Sequence, residues 1–559
     1  MFFSHTGEDI NFVWFNSTKG EKMKKACKIL ALCLVMVLIA AQSLAACTIF
    51  AVGKDASTDG TTMISHTCDS TTDDLRVWII PEMAAGTARD LVLNGRAGAD
   101  YSQFPEVKNY GPGSLVLGTY TYDEPTNQYL HAMYSFINDK GLAMGESTCS
   151  FDRNSEQGKK LSEVYDRVEG IIDCYLLQDL ALEKCSTARE AVEFMGEILN
   201  TYGWNGTPEC INITDGTESW IFEAYGGNIW CAVRVPDNAV FVAANRARIN
   251  HIDFNDNENY IYAENIVDFA IENGLWDGEG EFIPCKTYAP NPERTYSTRR
   301  EWMAMTLLDP TLDLDPEEKN PDENWPLFVV PQEKVSVDTI HKLSSNYYQG
   351  TPYDVTKTVE AGAYGNPLNP RHAERTINCF RCTYIQIATI DASLPEEVRC
   401  LAYFGWGAPD STYLTPVWAS QNSLPEHFGI GLREEPYNED SGWWVTALVQ
   451  QTATINYQDA IQTIHEARDQ RMADQYIATK AIQQAAAEMV ENGESELAVD
   501  LLTAYSTAQA NTWHDLWKDL SDELISTYMH GNKNMSTPDT PAWWDAAVAA
   551  GDAAIKATI

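Results

Sequence analysis

The chain has 559 residues, of which 44% are hydrophobic and 11% aromatic. This composition supplies a large core and excludes a chain that is mainly disordered. The 80 acidic and 39 basic side chains give a net charge of −41. So acidic a surface repels nucleic-acid phosphates and anionic lipid, which excludes nucleic acid as a partner and docking on a membrane through basic residues. The length allows two to four domains or one elaborated domain.

The N-terminal segment is typical of a secretory signal peptide. A basic stretch, Lys24 to Lys28, precedes an apolar run from Ile29 to Ala41, and small residues lead from there to Cys47. That order of charge, apolar run and small residues is the pattern of a cleaved export signal. We therefore predict an exported protein from which residues 1–46 are removed, with Met23 as the true start because the residues before it are polar.

The predicted elements mix strands and helices without regular alternation, which favours an α+β fold. Each element rests on a short apolar run, a turn dipeptide or a helix-capping pattern. In chain order they are strands at Thr48–Val52 and Thr61–Ser65 around the turn Asp59-Gly60, a capping box at Thr187–Glu190 that opens a helix toward Leu199, a β region from Ile211 to Ala244, and strands at Thr383–Ile390 and Leu401–Trp406.

Two later regions differ from this core. Leu308 to Lys334 carries five prolines among acidic residues, which predicts an excursion on the surface. No proline occurs between Tyr437 and Thr537, and helical periodicity runs through Asp459–Met489 and Glu494–Tyr528. We predict a C-terminal helical extension over residues 437–559.

The cysteines do not predict a metal site. Cleavage of the signal leaves eleven of the 13 cysteines; export permits disulfides, and the odd number leaves at least one thiol without an intramolecular partner. Cys379 and Cys382 form a lone Cys-x-x-Cys, which we expect to be two strand cysteines without a function. His66 and Cys68 have no second ligand pair nearby in sequence, so the prediction is that no metal and no cofactor is needed.

Cys47 allows two interpretations. Cleavage before it would leave a residue with both a thiol and a free α-amine, which together supply a nucleophile and a base. The segment Leu44 to Cys47 also fits a bacterial lipobox, in which the same thiol would carry lipid. Contact with a membrane is expected only in that second case.

From Cys47 onward the sequence resembles the cysteine dipeptidases of the N-terminal nucleophile (Ntn) hydrolase superfamily. The resemblance implies a four-layer αββα sandwich over residues 47–436 and hydrolysis of short peptides through an acyl-enzyme on Cys47, with no cofactor. The segments that carry it, in the family's order, are Cys47–Ile64, Asn138–Thr148, Ala181–Glu190, Ala244–Ile249, Tyr348–Asp354, Arg375–Tyr384 and Phe404–Pro416.

The resemblance also implies roles for individual residues. Asp69 would position the nucleophile's amine, and Asn245 would bind the transition-state oxyanion. Arg381 matches a late arginine near the nucleophile. His66 stands where the family usually has Arg, so the charge beside the thiol differs from the family's pattern. For these positions the sequence alone also allows a turn cap at Asp69, an ordinary ion pair at Arg381 and a strand-end surface residue at His66.

Glu146 and Thr148 lie on a segment that borders the pocket in the resembling family, which implies contact with substrate. Three functions stay open at this point: a dipeptidase, an acylase of the same superfamily acting on non-peptide amides, and a lipid-anchored peptide binder on an inactive scaffold. The expected partner is a small peptide, and a homo-oligomer is possible.

Overall fold

A computed structural model describes residues 47–70, 74–93, 115–168, 170–291, 295–433 and 435–558. The predicted signal segment and Met23 lie outside these residues. Throughout the described ranges, no helix is both long and apolar enough to span a membrane.

The strands form two large antiparallel sheets and a hairpin. They are β1 (Thr48–Val52), β2 (Thr62–Asp69), β3 (Trp78–Ile80), β4 (Ala88–Leu93), β5 (Leu115–Thr121), β6 (Tyr129–His131), β7 (Ile137–Asn138), β8 (Ala143–Thr148), β9 (Glu209–Thr214), β10 (Ser219–Gly226), β11 (Ile229–Val235), β12 (Val240–Ala243), β13 (Tyr260–Tyr262), β14 (Phe328–Val329), β15 (Cys382–Ile390), β16 (Cys400–Trp406) and β17 (Thr415–Trp418).

The helices fall between the strands and, in the last part of the chain, after them. They are α1 (Glu156–Tyr165), α2 (Cys174–Lys184), α3 (Ala188–Tyr202), α4 (Ile266–Glu272), α5 (Pro284–Tyr288), α6 (Thr295–Leu308), α7 (Pro321–Asn324), α8 (Val337–Ser344), α9 (Glu396–Arg399), α10 (Gly442–Ala453), α11 (Tyr457–Glu491), α12 (Ser495–Tyr528) and α13 (Ala542–Thr558).

The first strands of the chain lie in the middle of the seven-stranded sheet. Its order is β14-β12-β1-β2-β15-β16-β17, and the eight-stranded sheet runs β13-β11-β10-β9-β8-β7-β6-β3. Strands β1 and β2 pair antiparallel with Ile49 opposite His66, and β2 approaches β8 of the other sheet. This places the residue before β1 close to both sheets.

The alternation of side chains along β1 explains why every residue of this strand is buried. Ile49 and Ala51 pack in one core with residues of the second sheet, whereas Phe50 and Val52 pack in another with residues of helices α6, α8 and α10–α12. Successive side chains of a strand point to opposite faces. An apolar run without polar alternation therefore marks a strand that is covered on both sides.

Most predicted elements are confirmed, including β1, the β region from β9 to β12, and the long helices α11 and α12. Helix α3 begins as expected, with the Thr187 side chain accepting from the Glu190 N–H at 3.2 Å. The Glu190 carboxylate accepts from the Ser186 N–H at 2.8 Å. The second strand is longer than predicted, because β2 continues to Asp69.

The prediction of a surface excursion over Leu308–Lys334 is wrong in part. Strand β14 lies in this segment and pairs with β12, with Val329 opposite Val240. Pro321 and Trp325 are buried. Pro321 occupies the first turn of α7, where a missing N–H costs no helical hydrogen bond, so prolines here start and flank elements instead of excluding them.

The C-terminal helices pack closely on the seven-stranded sheet. Trp513 of α12 stacks on Tyr413, with 5.1 Å between ring centroids and 9° between planes. Trp517 meets the same tyrosine edge-on at 4.8 Å. Trp513 Nε1 donates to Gln475 Oε1 at 2.6 Å. These aromatic contacts pack the helices against the core.

The eleven cysteines among the described residues are all buried, and none of these eleven forms a disulfide. The expectation of two strand cysteines in the Cys-x-x-Cys is wrong for Cys379. It precedes β15 in a turn, and its carbonyl accepts from the Cys382 N–H at 3.2 Å.

Candidate active site

Cys47 is held firmly at the start of β1. Its carbonyl accepts from Arg300 Nη1 at 3.0 Å and from Ser147 Oγ at 3.2 Å. The next residue is fixed too, because the Thr48 N–H donates to Thr67 Oγ1 at 3.1 Å. Cys47 is fully buried. The backbone that carries the thiol is thus bound to β2, β8 and α6 together.

The Cys47 thiol faces a carboxylate. Its Sγ donates to Glu146 Oε1 at 2.9 Å, and His66 Nε2 lies 3.1 Å from the same oxygen. Burial, the neighbouring Cys68 thiol and the Glu146 charge raise the pKa of the Cys47 thiol. The thiol is therefore protonated near neutrality, and its use as a nucleophile requires a base that takes the proton during attack.

Glu146 belongs to a pair of buried carboxyl groups. Thr148, two residues further along β8, stands opposite Glu209 of β9. Burial and the repulsion from Glu146 raise the pKa of Glu209 well above its usual value. Burial alone would raise the pKa of Glu146 too, but contacts from His66, Glu209 and Cys47 lower it on balance. Of the two groups, Glu209 therefore favours its protonated form and Glu146 its charged form, which lies beside the thiol.

His66 lies at the centre of this group. Its ring is fully buried and meets Tyr134 and Tyr384 edge-on, with centroids 5.4 and 5.5 Å away. The alternative of a strand-end surface residue is wrong, because β2 continues past His66 and both faces of the sheet are covered. The structure brings His66, Glu146 and Cys47 together, although only Cys47 had an evident reactive role in the sequence.

Asp69 ends β2 and forms a buried ion pair with Arg375. Tyr296 links this pair to Arg381, whose Nη2 donates to the tyrosine hydroxyl at 3.0 Å. Arg375, Arg381 and Tyr296 line a cavity of 260 Å³. Cys47 is not among its lining residues. The Asp69 charge acts on the Cys47 thiol, while Arg381 lies beside a space that could hold part of a ligand.

Asn245 follows β12 and adopts a left-handed backbone with φ of 59°, a conformation that asparagine tolerates better than most residues. Its N–H donates to Ser147 Oγ at 2.8 Å. Its carboxamide donates to the Thr148 carbonyl at 2.9 Å and accepts from Arg300 Nη2 at 2.8 Å. The amide is therefore fixed next to the segment that carries Cys47 and Glu146.

Three residues of this site were not singled out from the sequence. Arg300 contacts both the Cys47 carbonyl and the Asn245 carboxamide, Arg375 neutralises Asp69, and Glu209 pairs with Glu146. Arg299-Arg300 is a doublet of cations within an apolar helix of an acidic chain, and such a doublet could have signalled buried partners. No local pattern marks Glu209, because its partner is on the neighbouring strand.

Two groups among the described residues have donor atoms close enough to hold a metal ion. They are Cys47, His66 and Glu146, and Glu146, Cys174 and Glu209, with the atoms of each group within 4.8 Å of one another. All of these side chains are buried. The first group offers sulfur, nitrogen and oxygen, and the second only sulfur and oxygen.

Comparison with known proteins identifies the family of the chain. The family model for peptidase family C69 matches residues 119–470, more than half of the chain; Cys47 precedes that range. A "Probable dipeptidase" of Salmonella dublin is 27% identical over 380 residues, which cover 67% of this chain and 81% of that protein. A "Probable dipeptidase" of Latilactobacillus sakei is 26% identical over 499 residues, covering 86% and 95%.

A "Dipeptidase" of Bifidobacterium longum is 26% identical over 404 residues, covering 68% of this chain and 72% of that protein. The family match and these relatives lead to the same conclusion as the motifs that follow Cys47. The chain belongs to peptidase family C69, cysteine peptidases of the Ntn type, and is a peptide hydrolase.

Proposed function

We propose that the chain is an exported dipeptidase whose nucleophile is the Cys47 thiol. One observation carries the proposal: the thiol donates at 2.9 Å to the Glu146 carboxylate, on a backbone fixed by Arg300 and Ser147. A positioned thiol with an acceptor in hydrogen-bond reach is the arrangement that thiol nucleophiles require. The names of the relatives support a dipeptide as the substrate.

Two groups can take the thiol proton. After cleavage before Cys47, its own α-amine is one. The Glu146 carboxylate is the other, and its lowered pKa keeps it available as an acceptor above mildly acidic pH. In either case the proton leaves as Sγ bonds to the carbonyl carbon, and it then passes to the departing amine.

The acyl-enzyme forms when the tetrahedral intermediate collapses and the C–N bond breaks. Asn245 is the proposed oxyanion donor, because Arg300 fixes its carboxamide oxygen and so orients its N–H₂ group. Water then attacks the thioester carbonyl, the C–S bond breaks, and Cys47 recovers its proton. Asp69 and Arg375 act as a positioning pair beside the nucleophile.

The free carboxylate of a dipeptide needs a cationic partner. Arg381 lines the 260 Å³ cavity next to Arg375 and is half-buried. A guanidinium binds a carboxylate through two parallel hydrogen bonds. We therefore place the substrate's C-terminal end toward Arg381, with Thr148 and Glu146 bordering the scissile bond.

The proposal includes the fold of the superfamily. The core that contains Ile49 and Ala51 holds residues of both sheets together with α2 and α3. The core that contains Phe50 and Val52 holds residues of the seven-stranded sheet with α6, α8 and α10–α12. That distribution supports an αββα order of layers.

Intact mass spectrometry of the purified, active protein tests the start of the mature chain. The expected mass is that of residues 47–559 with an unmodified Cys47. Stoichiometric lipid on this thiol, in a protein that retains full activity, would overturn the mechanism and favour the lipid-anchored alternative.

Replacement of Cys47 by Ala tests the nucleophile. We expect kcat/KM for dipeptides to fall at least about 10³-fold, since only binding and the oxyanion site would be left. Cys400→Ala is the matched control, because it removes another buried thiol at the start of a strand, β16. Turnover in Cys47→Ala that matches this control would show that another group attacks the substrate.

A further inference from the structure

The cluster around the Cys47 thiol combines three different donor atoms. Cys47 Sγ lies 2.9 Å and His66 Nε2 3.1 Å from Glu146 Oε1, and the donor atoms are all within 4.8 Å of one another. Each of the three side chains is 0% exposed. The three come from the residue before β1, from β2 and from β8, so the cluster lies where the two sheets meet.

His66 is the second observation that points to a ligand. Neither of its ring nitrogens makes a hydrogen bond, although Nε2 is within ion-pair distance of Glu146. Burial of a polar group without a hydrogen bond is unfavourable. Tyr134 and Tyr384 meet the ring edge-on and hold it with Nε2 toward the thiol and carboxylate. An imidazole nitrogen presented in this way is a typical metal ligand.

The spacing of the donors suits a small tetrahedral ion. Metal–ligand bonds of about 2.0–2.3 Å to oxygen, nitrogen and sulfur require donors about 3.3–3.5 Å apart at the tetrahedral angle. The two measured separations are a few tenths of an ångström shorter. Binding of an ion therefore requires these two separations to grow by only that amount.

The types of donor select the metal. Thiolate, imidazole and carboxylate together suit Zn²⁺ and neighbouring transition metals, whereas Mg²⁺ and Ca²⁺ prefer oxygen ligands alone. The other candidate group, Glu146 with Cys174 and Glu209, has no nitrogen donor. The first triad is the better zinc site.

We propose that Zn²⁺ binds to Cys47, His66 and Glu146 and reversibly inhibits the peptidase. Binding replaces the thiol proton, which leaves to solvent, by a metal–sulfur bond. The sulfur lone pair and the Glu146 carboxylate are then both engaged, so neither attack nor proton transfer can occur. The inhibition rests on the proposed role of Cys47 as nucleophile, whereas the metal site does not.

Cobalt substitution tests the site without reference to activity. The intact protein, freed of metal with a chelator and kept reduced, is titrated with Co²⁺. We expect one equivalent to produce a thiolate-to-cobalt charge-transfer band and the intense visible bands of a tetrahedral ion, and Zn²⁺ to remove both. Absence of these bands at saturating Co²⁺ would overturn the proposal.

Variants locate the ion. Cys47→Ser should abolish the charge-transfer band, and His66→Gln should weaken Zn²⁺ binding at least about 10-fold. Cys174→Ser is the matched control, since it removes a buried thiol that belongs to the second group and not to the first, and it should keep the band. A band that survives in Cys47→Ser and vanishes in Cys174→Ser would overturn the proposed triad in favour of the other group.

Activity assays complete the test and separate the two proposals. Zn²⁺ should reduce turnover at the same concentration at which it displaces Co²⁺, and excess chelator should restore it. Cobalt binding with Zn²⁺-insensitive turnover would overturn the inhibition. If Cys47→Ala abolishes turnover but no cobalt binds, the zinc site is wrong and the proposed function stands. If cobalt binds to the wild-type protein and the Cys47→Ala variant is active, the metal site stands and the role of Cys47 as nucleophile is refuted.

Discussion

The two faces of the seven-stranded sheet bury different chemistry. Toward β8, the sheet covers the Cys47 thiol, the His66 imidazole and the Glu146 carboxylate. Toward the C-terminal helices it covers the aromatic group of Tyr413, Trp513 and Trp517. Both regions are equally inaccessible to water, since each of these six residues is at most 1% exposed.

The difference lies in the ionisable groups that each region buries. The Trp513 indole donates to Gln475, and the stacked rings contribute packing without desolvated charge. The other face buries the His66 imidazole and the carboxyl groups of Glu146 and Glu209, and neither His66 ring nitrogen makes a hydrogen bond. Buried groups of that kind lower stability but provide reactivity. Substitutions should therefore affect stability on one face and catalysis on the other.

Trp513→Ala should have the largest effect of the changes considered, on stability. Removing a large buried aromatic side chain costs about 3–5 kcal/mol, and the change also leaves Gln475 without its donor. Equilibrium unfolding in denaturant measures the loss, and kcat/KM at a temperature where the variant is folded should be unchanged. Trp513→Phe keeps an aromatic ring but loses the N–H and part of the fused ring system, so it should cost less than Trp513→Ala, about 1–3 kcal/mol. Equal stability of the two variants would contradict the role assigned to stacking.

Asn245→Ala should have the complementary effect, on catalysis. Loss of one oxyanion donor lowers kcat about 10²–10³-fold, which corresponds to about 2.7–4 kcal/mol of transition-state stabilisation. Steady-state kinetics should show the loss in kcat with little change in KM. A variant with wild-type kcat would remove Asn245 from the reaction and leave it only its bonds to Thr148 and Arg300.

The sequence predicted one face much better than the other. Helices α11 and α12 were predictable because their apolar spacing repeats locally, and β1 because its apolar run is short and ends in a turn. Cys47 and Asn245 were accessible through resemblance to a family. The same resemblance placed His66 beside the thiol and Glu146 at the pocket, but it did not predict their direct contact, because the two residues are 80 positions apart and meet only when β2 faces β8.

Arg300 shows the same limit in another way. Its guanidinium contacts Cys47 and Asn245, which are 253 and 55 positions away. No spacing rule connects residues on a helix with a strand start and a loop in this manner. Long-range polar contacts of this kind depend on the packing of whole layers, and a single sequence carries no direct signal of them.

His66→Gln should shift the pH dependence of activity. Burial raises the pKa of Glu146, but the contact with His66 is the strongest of those that lower it on balance. Without the imidazole, that pKa rises and the carboxylate is protonated at higher pH. If Glu146 takes the thiol proton, the acid limb of kcat/KM moves upward by on the order of one pH unit.

The control for this change is His427→Gln, at a histidine that contacts Trp406 and His514 instead of the thiol. Burial and His514 lower the pKa of His427 to about 3, so its replacement should leave the profile in place. Superimposable acid limbs in wild type and His66→Gln would instead assign the base to the Cys47 α-amine.

Glu209→Gln should have the smallest effect, a change in the pH dependence of stability. The pKa of Glu209 is raised in the folded chain by burial and by Glu146, so the folded state favours the protonated form. Its contribution to stability is fully present below the unfolded-state pKa and is lost as pH rises through the folded-state value. Gln resembles the protonated form at every pH. The free energy of unfolding of the variant should therefore match that of wild type near pH 4 and exceed it by about 1 kcal/mol or more at pH 8.

Denaturant unfolding at both pH values measures the difference, and Glu193→Gln, on the exposed side of α3, controls for the loss of one negative charge. Suppose that the stability difference between this variant and wild type does not grow with pH beyond the difference seen for the control. Glu209 would then be ionised in the folded protein, and the raised pKa assigned to it would be wrong.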